Sequence, residues 1–174
     1  MRKLIVIIGL ACLVVSCVAS QPNKVGDLFV FEKFDIQFPE MGGSWHAKSL
    51  DPQQRFGNFM RFDNQSKKAQ VWVRERGIPK AEVDEAANVW VNGMAKKYHW
   101  NDLKTQDEGW TELNGEKTFW KQYRFRSNNT MLSEKIYRVY YKTHAYQFRL
   151  HCREKDFPEL VQEFDGWVKM IKFL

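Results

Sequence analysis

From Leu28 to Phe38 the apolar residues Phe29, Phe31, Ile36 and Phe38 are interleaved with polar ones, a two-residue alternation that predicts strand ending at Pro39. The alternation slips at Glu32-Lys33-Phe34, where a bulge or short break is expected. Glu40-Met41-Gly42-Gly43 then reads as a turn and Ser44–Lys48 as a short strand, with a further turn at Asp51-Pro52. Arg55–Phe62 and Ala69–Glu75 read as paired strands around an Asp63–Ser66 loop. Four strands are thus expected before the period changes.

It changes near Pro79, a residue suited to a first helical turn because it has no N–H to lose. Val83, Ala86, Ala87, Trp90, Met94 and Tyr98 recur at spacings of three and four, so Trp90 and Met94 are expected in the core. A second set of strands follows: a weak one at Leu103–Thr111, then Thr118–Arg126, Leu132–Tyr141 and Tyr146–Arg153. Asn114-Gly115 is a strong two-residue hairpin signal, and Ser127–Thr130 and Thr143-His144 make the other turns. Short turns favour antiparallel neighbours. The last element is a helix capped at Asp156, with Pro158 in its first turn and a stripe of Phe157, Leu160, Val161, Phe164, Trp167, Val168 and Ile171. Gly166 lies inside it and would allow something to approach the backbone closely.

The 174 residues suit one compact domain, and 44% hydrophobic residues with 13 Phe, 7 Trp and 6 Tyr supply a core. Residues 1–16 read differently. Arg2 and Lys3 precede an apolar run, Leu4–Val15, that is shorter than the ~20 residues of a spanning helix and is followed by small residues. A secretory signal is expected, with two cleavage readings. Cutting before Cys17, with Val14 and Ser16 upstream, follows the bacterial lipoprotein pattern and leaves Cys17 to receive lipid; cutting after Ser20 would be ordinary export. Residues 17–27 would be the lipidated cysteine and a polar tether, and 28–174 one domain. Removing residues 1–16 lowers the net charge from +6 to +4, too little to argue for nucleic acid. Cys152 would then be the sole thiol of the domain, expected to be buried because it keeps step with Tyr146, Phe148 and Leu150.

The expected order is four strands, a helix, four strands and a helix: an α+β chain whose antiparallel sheet carries a helix on each face. The opening FVFEKFDIQFP, the helix after the fourth strand, and a last strand running directly into DFPELVQEFDGWVKMI together resemble the Mog1/PsbP-like α/β/α sandwich. That group includes photosystem-associated PsbP proteins and many bacterial envelope lipoproteins, and its members mostly bind or assemble. The resemblance lies in layout over residues 28–174, so no functional residue is carried over. Cystatin-like and nuclear-transport-factor-like curved sheets are the rival folds; both usually place the long helix before the main sheet. With Val18 after Cys17, resemblance to diderm lipoproteins implies an outer-membrane address facing the periplasm, with soluble export as the alternative.

Catalytic patterns are absent: no G-x-S-x-G, P-loop or G-x-G-x-x-G occurs, and no cofactor is expected. His46, His99, His144 and His151 lack the spacing that puts two imidazoles on one metal from a helix, and read as surface or turn residues. His151 and Cys152 are adjacent on a strand, so they point apart and cannot share a proton. One constellation stands out. If the faces coincide, Trp120, Arg124 and Arg126 join Arg138 and Arg149 in a positive, partly aromatic surface for an acidic protein, anionic lipid or glycan. The blander alternative is that each arginine covers apolar surface with its stem and reaches a nearby carboxylate. The expected function is therefore that of a non-catalytic envelope lipoprotein that binds or assists assembly. The rival is a small ligand-binding protein or enzyme with a pocket between sheet and helix, marked by a histidine meeting a carboxylate.

Overall fold

The structure is a computed structural model that describes residues 23–51, 53, 55, 57–77 and 81–174. The expected signal segment, Cys17, residues 18–22 of the tether and Pro79 lie outside the described residues.

Among the described residues the chain is α+β, with eleven strands in two antiparallel sheets and two α-helices. A small sheet has the order β1 (Asn23–Val25), β2 (Leu28–Phe31), β3 (Ile36–Pro39) and β11 (Lys172–Phe173). The large sheet contains β4 (Trp45–Ser49), β5 (Asn58–Asn64), β6 (Ala69–Glu75), β7 (Asn101–Leu113), β8 (Glu116–Ser127), β9 (Thr130–Tyr141) and β10 (His144–Arg153). Its order is β4-β5-β6-β10-β9-β8-β7. Helix α1 (Val83–Lys97) crosses from β6 to the far edge strand β7, and α2 (Phe157–Val168) carries the chain from β10 to β11.

The expected order is corrected at its start: six strands, not four, precede α1. Glu32–Phe34 forms a 3-10 turn and Asp35 takes a left-handed φ of 46°, which reverses the chain. The single strand read over Leu28–Phe38 is therefore a hairpin, with Phe29 opposite Phe38 and Phe31 opposite Ile36. The hairpins of the large sheet follow their turn residues. Asn114 and Gly115 sit at φ 50° and 86°, and Asn128 and Asn129 at 46° and 63°. Positive φ at both central residues matches the twist of the flanking strands.

Alternate residues of the long strands divide into two sets. Phe119, Tyr123, Phe125 and Ile136 cluster with Val83, Ala87 and Val91 of α1. Tyr137, Val139, Tyr146, Phe148 and Leu150 cluster with α2 and the small sheet. Every member of the predicted α2 stripe is buried except Val161, which is partly so. Asp156 sits at the N-cap but bonds Arg153 Nε at 2.7 Å instead of capping the helix. Helix α1 is rotated from its expected face: Val83, Ala87 and Val91 are buried, while Trp90 and Met94 are only partly covered and Tyr98 is exposed. The core reading of Met94 is thus corrected, while Trp90, half-buried, still packs against the α1 cluster. The α1 stripe is longer than the floor available to cover it.

Candidate functional site

The uncovered end of α1 overhangs β6 and β10. Between them lies a groove of about 500 Å³, with α1 contributing Val89, Trp90, Gly93, Met94 and Lys97, and Tyr98 following at its C-terminus. The sheet contributes Trp72, Arg74, Gln147 and Arg149, and Arg76 follows at the end of β6. Register places these residues in rows. Arg74 pairs with Gln147 and Gln147 with Arg138, while Trp72 pairs with Arg149 and Arg149 with Ile136. Paired residues of antiparallel strands share a face, so one side of the sheet concentrates guanidinium groups under α1.

Arg149 is held from several directions. Its guanidinium stands 5.4 Å from the Trp72 ring and 5.3 Å from that of Trp90, within range for cation–π attraction. The far side of this network holds Glu134, which is completely buried, with Oε1 3.6 Å from Arg149 Nη1 and 2.6 Å from His151 Nδ1. Tyr123 donates its hydroxyl to Glu134 Oε2. Burial pushes the Glu134 carboxyl up, but Arg149 and the bonds from His151 and Tyr123 outweigh it and hold the carboxyl below its ordinary value. Burial and the charge of Glu134 in turn raise Tyr123 well above a free phenol. Arg138 donates from Nη1 to Gln147 Oε1 at 2.8 Å, leaving its buried Nε without a partner, as is Trp72 Nε1. Burial, with the neighbouring Arg76, Arg138 and Arg149, lowers Arg74 to about 10. The arginines are close enough to repel one another.

The arginine and tryptophan face expected from sequence is divided by the sheet. Phe119, not Trp120, lies opposite Arg138, so Trp120 and Arg124 share the other face. Trp120 packs against the larger core with Lys135 Nζ 4.8 Å from its ring. Arg124 reaches Glu154 at 2.9 Å and Arg126 reaches Asp102 at 3.1 Å, so both have carboxylate partners. Arg138 and Arg149 belong to the α1 side. Parity within each strand was legible in the sequence; the offset between strands was not. Trp72, Arg74, Arg76, Tyr123 and Glu134 were missed for the same reason, since nothing local marks them as neighbours.

Of the histidines, His46 and His99 fit the surface reading, whereas His144 and His151 are half-buried against carboxylates. His46 is exposed on β4, and His99 is exposed with φ 51°. His144 Nδ1 lies 3.0 Å from Glu75 Oε1, and His151 meets Glu134. His151 lines a separate depression with Arg61, Asp63 and Gln70. Cys152 faces the opposite way, buried, with its thiol 4.0 Å from the Ser133 carbonyl and its pKa raised by burial to about 12. Among the described residues no group of three or more His, Cys, Asp and Glu is placed to share a metal ion. Nor is any helix among them long and apolar enough to cross a membrane. A second groove, of about 600 Å³, runs between Met41–Trp45 and α2. Gly166 borders it with open space around its Cα.

No family model matches the chain, and no curated protein does. Solved structures do. The solution structure of the cyanobacterial PsbP protein CyanoP from Synechocystis sp. PCC 6803 superposes with a TM-score of 0.68 at 10% identity, covering 87% of this chain and 95% of its own. A Pseudomonas aeruginosa protein of unknown function, PA94, described as a putative regulator, gives a TM-score of 0.46 at 9% identity, covering 82% of this chain and 92% of its own. The agreement with CyanoP covers most of both chains while their sequences have almost nothing in common, and what they share is architecture: this chain has a PsbP-like fold.

Proposed function

We propose that the protein is a non-catalytic binding or assembly-accessory component of a cell envelope, anchored by lipid on Cys17, with the α1 groove as its working surface. The groove carries this reading. It is open, floored by arginines and walled by aromatic side chains, an arrangement suited to holding an acidic partner. The two core clusters support a layering of α1, large sheet, and then α2 with the small sheet, so that one helix lies on each face. That layering would leave the groove between sheet and helix.

An enzymatic reading rests on one observation, the His151–Glu134 pair, in which a buried carboxylate orients an imidazole as in general-base sites. The nearest thiol in sequence, Cys152, points through the sheet into the other core. Binding is the better-supported reading.

Two measurements test it. Labelled fatty acid should be incorporated by the parent and not by Cys17→Ser, which should move to the soluble fraction; equal behaviour of the two refutes the anchor. Arg74→Glu/Arg76→Glu, with the anchor intact, should lose an envelope component that co-purifies with the parent. An unchanged set of co-purifying components removes the groove from the function.

A further inference from the structure

The groove has two chemically different walls. On the sheet side, Arg74, Arg76 and Arg149 present guanidinium donors, with the Trp72 ring beside Arg149. On the helix side, Val89 is 66% exposed and Tyr98 50% exposed, with Trp90 and Met94 between them. An acidic glycan would use the first wall and leave the second wet. A purely apolar ligand would use the second and leave the first untouched. Only a molecule with both characters satisfies the whole surface.

We propose that the α1 groove binds an amphipathic organic anion, its phosphate or carboxylate head on Arg74, Arg76 and Arg149 and its apolar body along Val89, Trp90, Met94 and Tyr98. The inference rests on the binding reading above and names the chemical class of the ligand. Three observations support it. The volume of about 500 Å³ lies within the range of small-molecule sites, ~300–1,000 Å³. The recognition group is preorganised: Arg149 is flanked by the Trp72 and Trp90 rings and braced by Glu134 behind, so little side-chain freedom remains to be lost on binding. The planar guanidinium fork matches the oxygens of phosphate or carboxylate. Beside burial, Arg76, Arg138 and Arg149 each disfavour the charge on Arg74, an effect that a bound anion offsets. Head and body are then recognised by separate elements, the sheet and the helix, which predicts that neither half of the ligand binds well alone.

The test is calorimetric titration of the purified full chain with dodecyl phosphate below its micelle concentration, beside inorganic phosphate and dodecyl maltoside. One-to-one binding of dodecyl phosphate, at least ~10-fold tighter than either comparison molecule, is expected. Arg74→Gln/Arg76→Gln and, separately, Val89→Glu should each weaken it ~10-fold or more. Val89 is exposed, so its substitution leaves the fold intact, which matched urea melts would verify. Equal affinity for inorganic phosphate would remove the apolar wall from the site and overturn the proposal, as would equal affinity for dodecyl maltoside. Binding unaffected by either variant would move it elsewhere, to the Met41–Trp45 groove for instance, and would also overturn it. Where binding is seen, competition by phosphatidylglycerol but not phosphatidylcholine vesicles assigns the head to a membrane lipid; no competition assigns it to a free anion. Failure here with continued loss of a co-purifying component in Arg74→Glu/Arg76→Glu would leave the binding reading standing and sink only the amphipathic ligand.

Discussion

Trp167 is the side chain that ties the two sheets to α2, and Trp167→Ala is the most decisive perturbation of the fold. Its ring lies 5.6 Å from Phe38 of the small sheet, 5.4 Å from Phe62 and 6.3 Å from Phe148 of the large one. Only 3% of the residue is exposed, and its Nε1 donates to the Pro39 carbonyl at 2.8 Å. Truncation of a buried Trp to Ala costs ~3–5 kcal/mol, and the stranded Pro39 carbonyl adds ~1 kcal/mol. Together they are a large part of the ~5–15 kcal/mol that holds a typical domain. With a urea slope of ~2 kcal/mol/M for a domain of this size, the midpoint should fall by ~2–3 M. Trp167→Phe keeps the ring contacts and should lose only ~1–2 kcal/mol. Arg124→Ala breaks a half-exposed pair with Glu154 and should stay within ~1 kcal/mol of the parent. Urea melts followed by far-UV circular dichroism give all three. A Trp167→Ala midpoint within ~0.3 M of the parent would mean that α2 is not docked, and the layered core would be wrong.

Glu134→Gln should be destabilising at neutral pH by ~3 kcal/mol or more, because Arg149 loses its buried counter-charge and His151 its carboxylate partner. The Glu134 carboxyl is held below its ordinary value, so its contribution exists above the ordinary carboxylate range and is lost as pH falls through the lowered value. The gap between parent and variant should therefore narrow in acid; melts between pH 7 and 2 that show a constant gap would refute this. Cys152, raised to about 12, favours the protonated fold, so its contribution is present below the ordinary thiol range and fades between ~9 and 12 as pH rises. It should resist a thiol-specific disulfide reagent at pH 8 until denaturant is added, and peptide mapping of rapid labelling in the native protein would contradict its burial. Gly57 has φ +83°, and a Cβ there would stand 2.2 Å from the Glu75 carbonyl oxygen. Gly57→Ala should cost ~2 kcal/mol or more, and a melt like the parent's would show that the approach of Gly57 to Glu75 is not constrained.

Local patterns decided local structure. The α2 stripe carries its own evidence of burial, because side chains three and four apart necessarily share a helix face. The Asn-Gly and Asn-Asn turns, and Cys152 in step with Tyr146, Phe148 and Leu150, are local in the same sense. A PsbP-like layout was legible from such elements in order. Where the chain reverses or a face runs out of partners, the pattern misleads. Leu28–Phe38 alternates through a hairpin because Asp35, not any apolar residue, turns the chain. The α1 stripe continues to Tyr98 although the sheet beneath it gives way to arginines. The site itself depended on interstrand offset. A shift of one residue between β8 and β9 exchanges Trp120 and Arg124 for Phe119 and Tyr123 as companions of Arg138, with no change in either strand's own alternation. Glu134 reads as one more polar residue of β9; it becomes a buried anion only because Arg149 and His151 from β10 and Tyr123 from β8 converge on it. Periodicity is a property of one segment, and charge pairing is a property of several, so the first could be read from the chain and the second needed the fold.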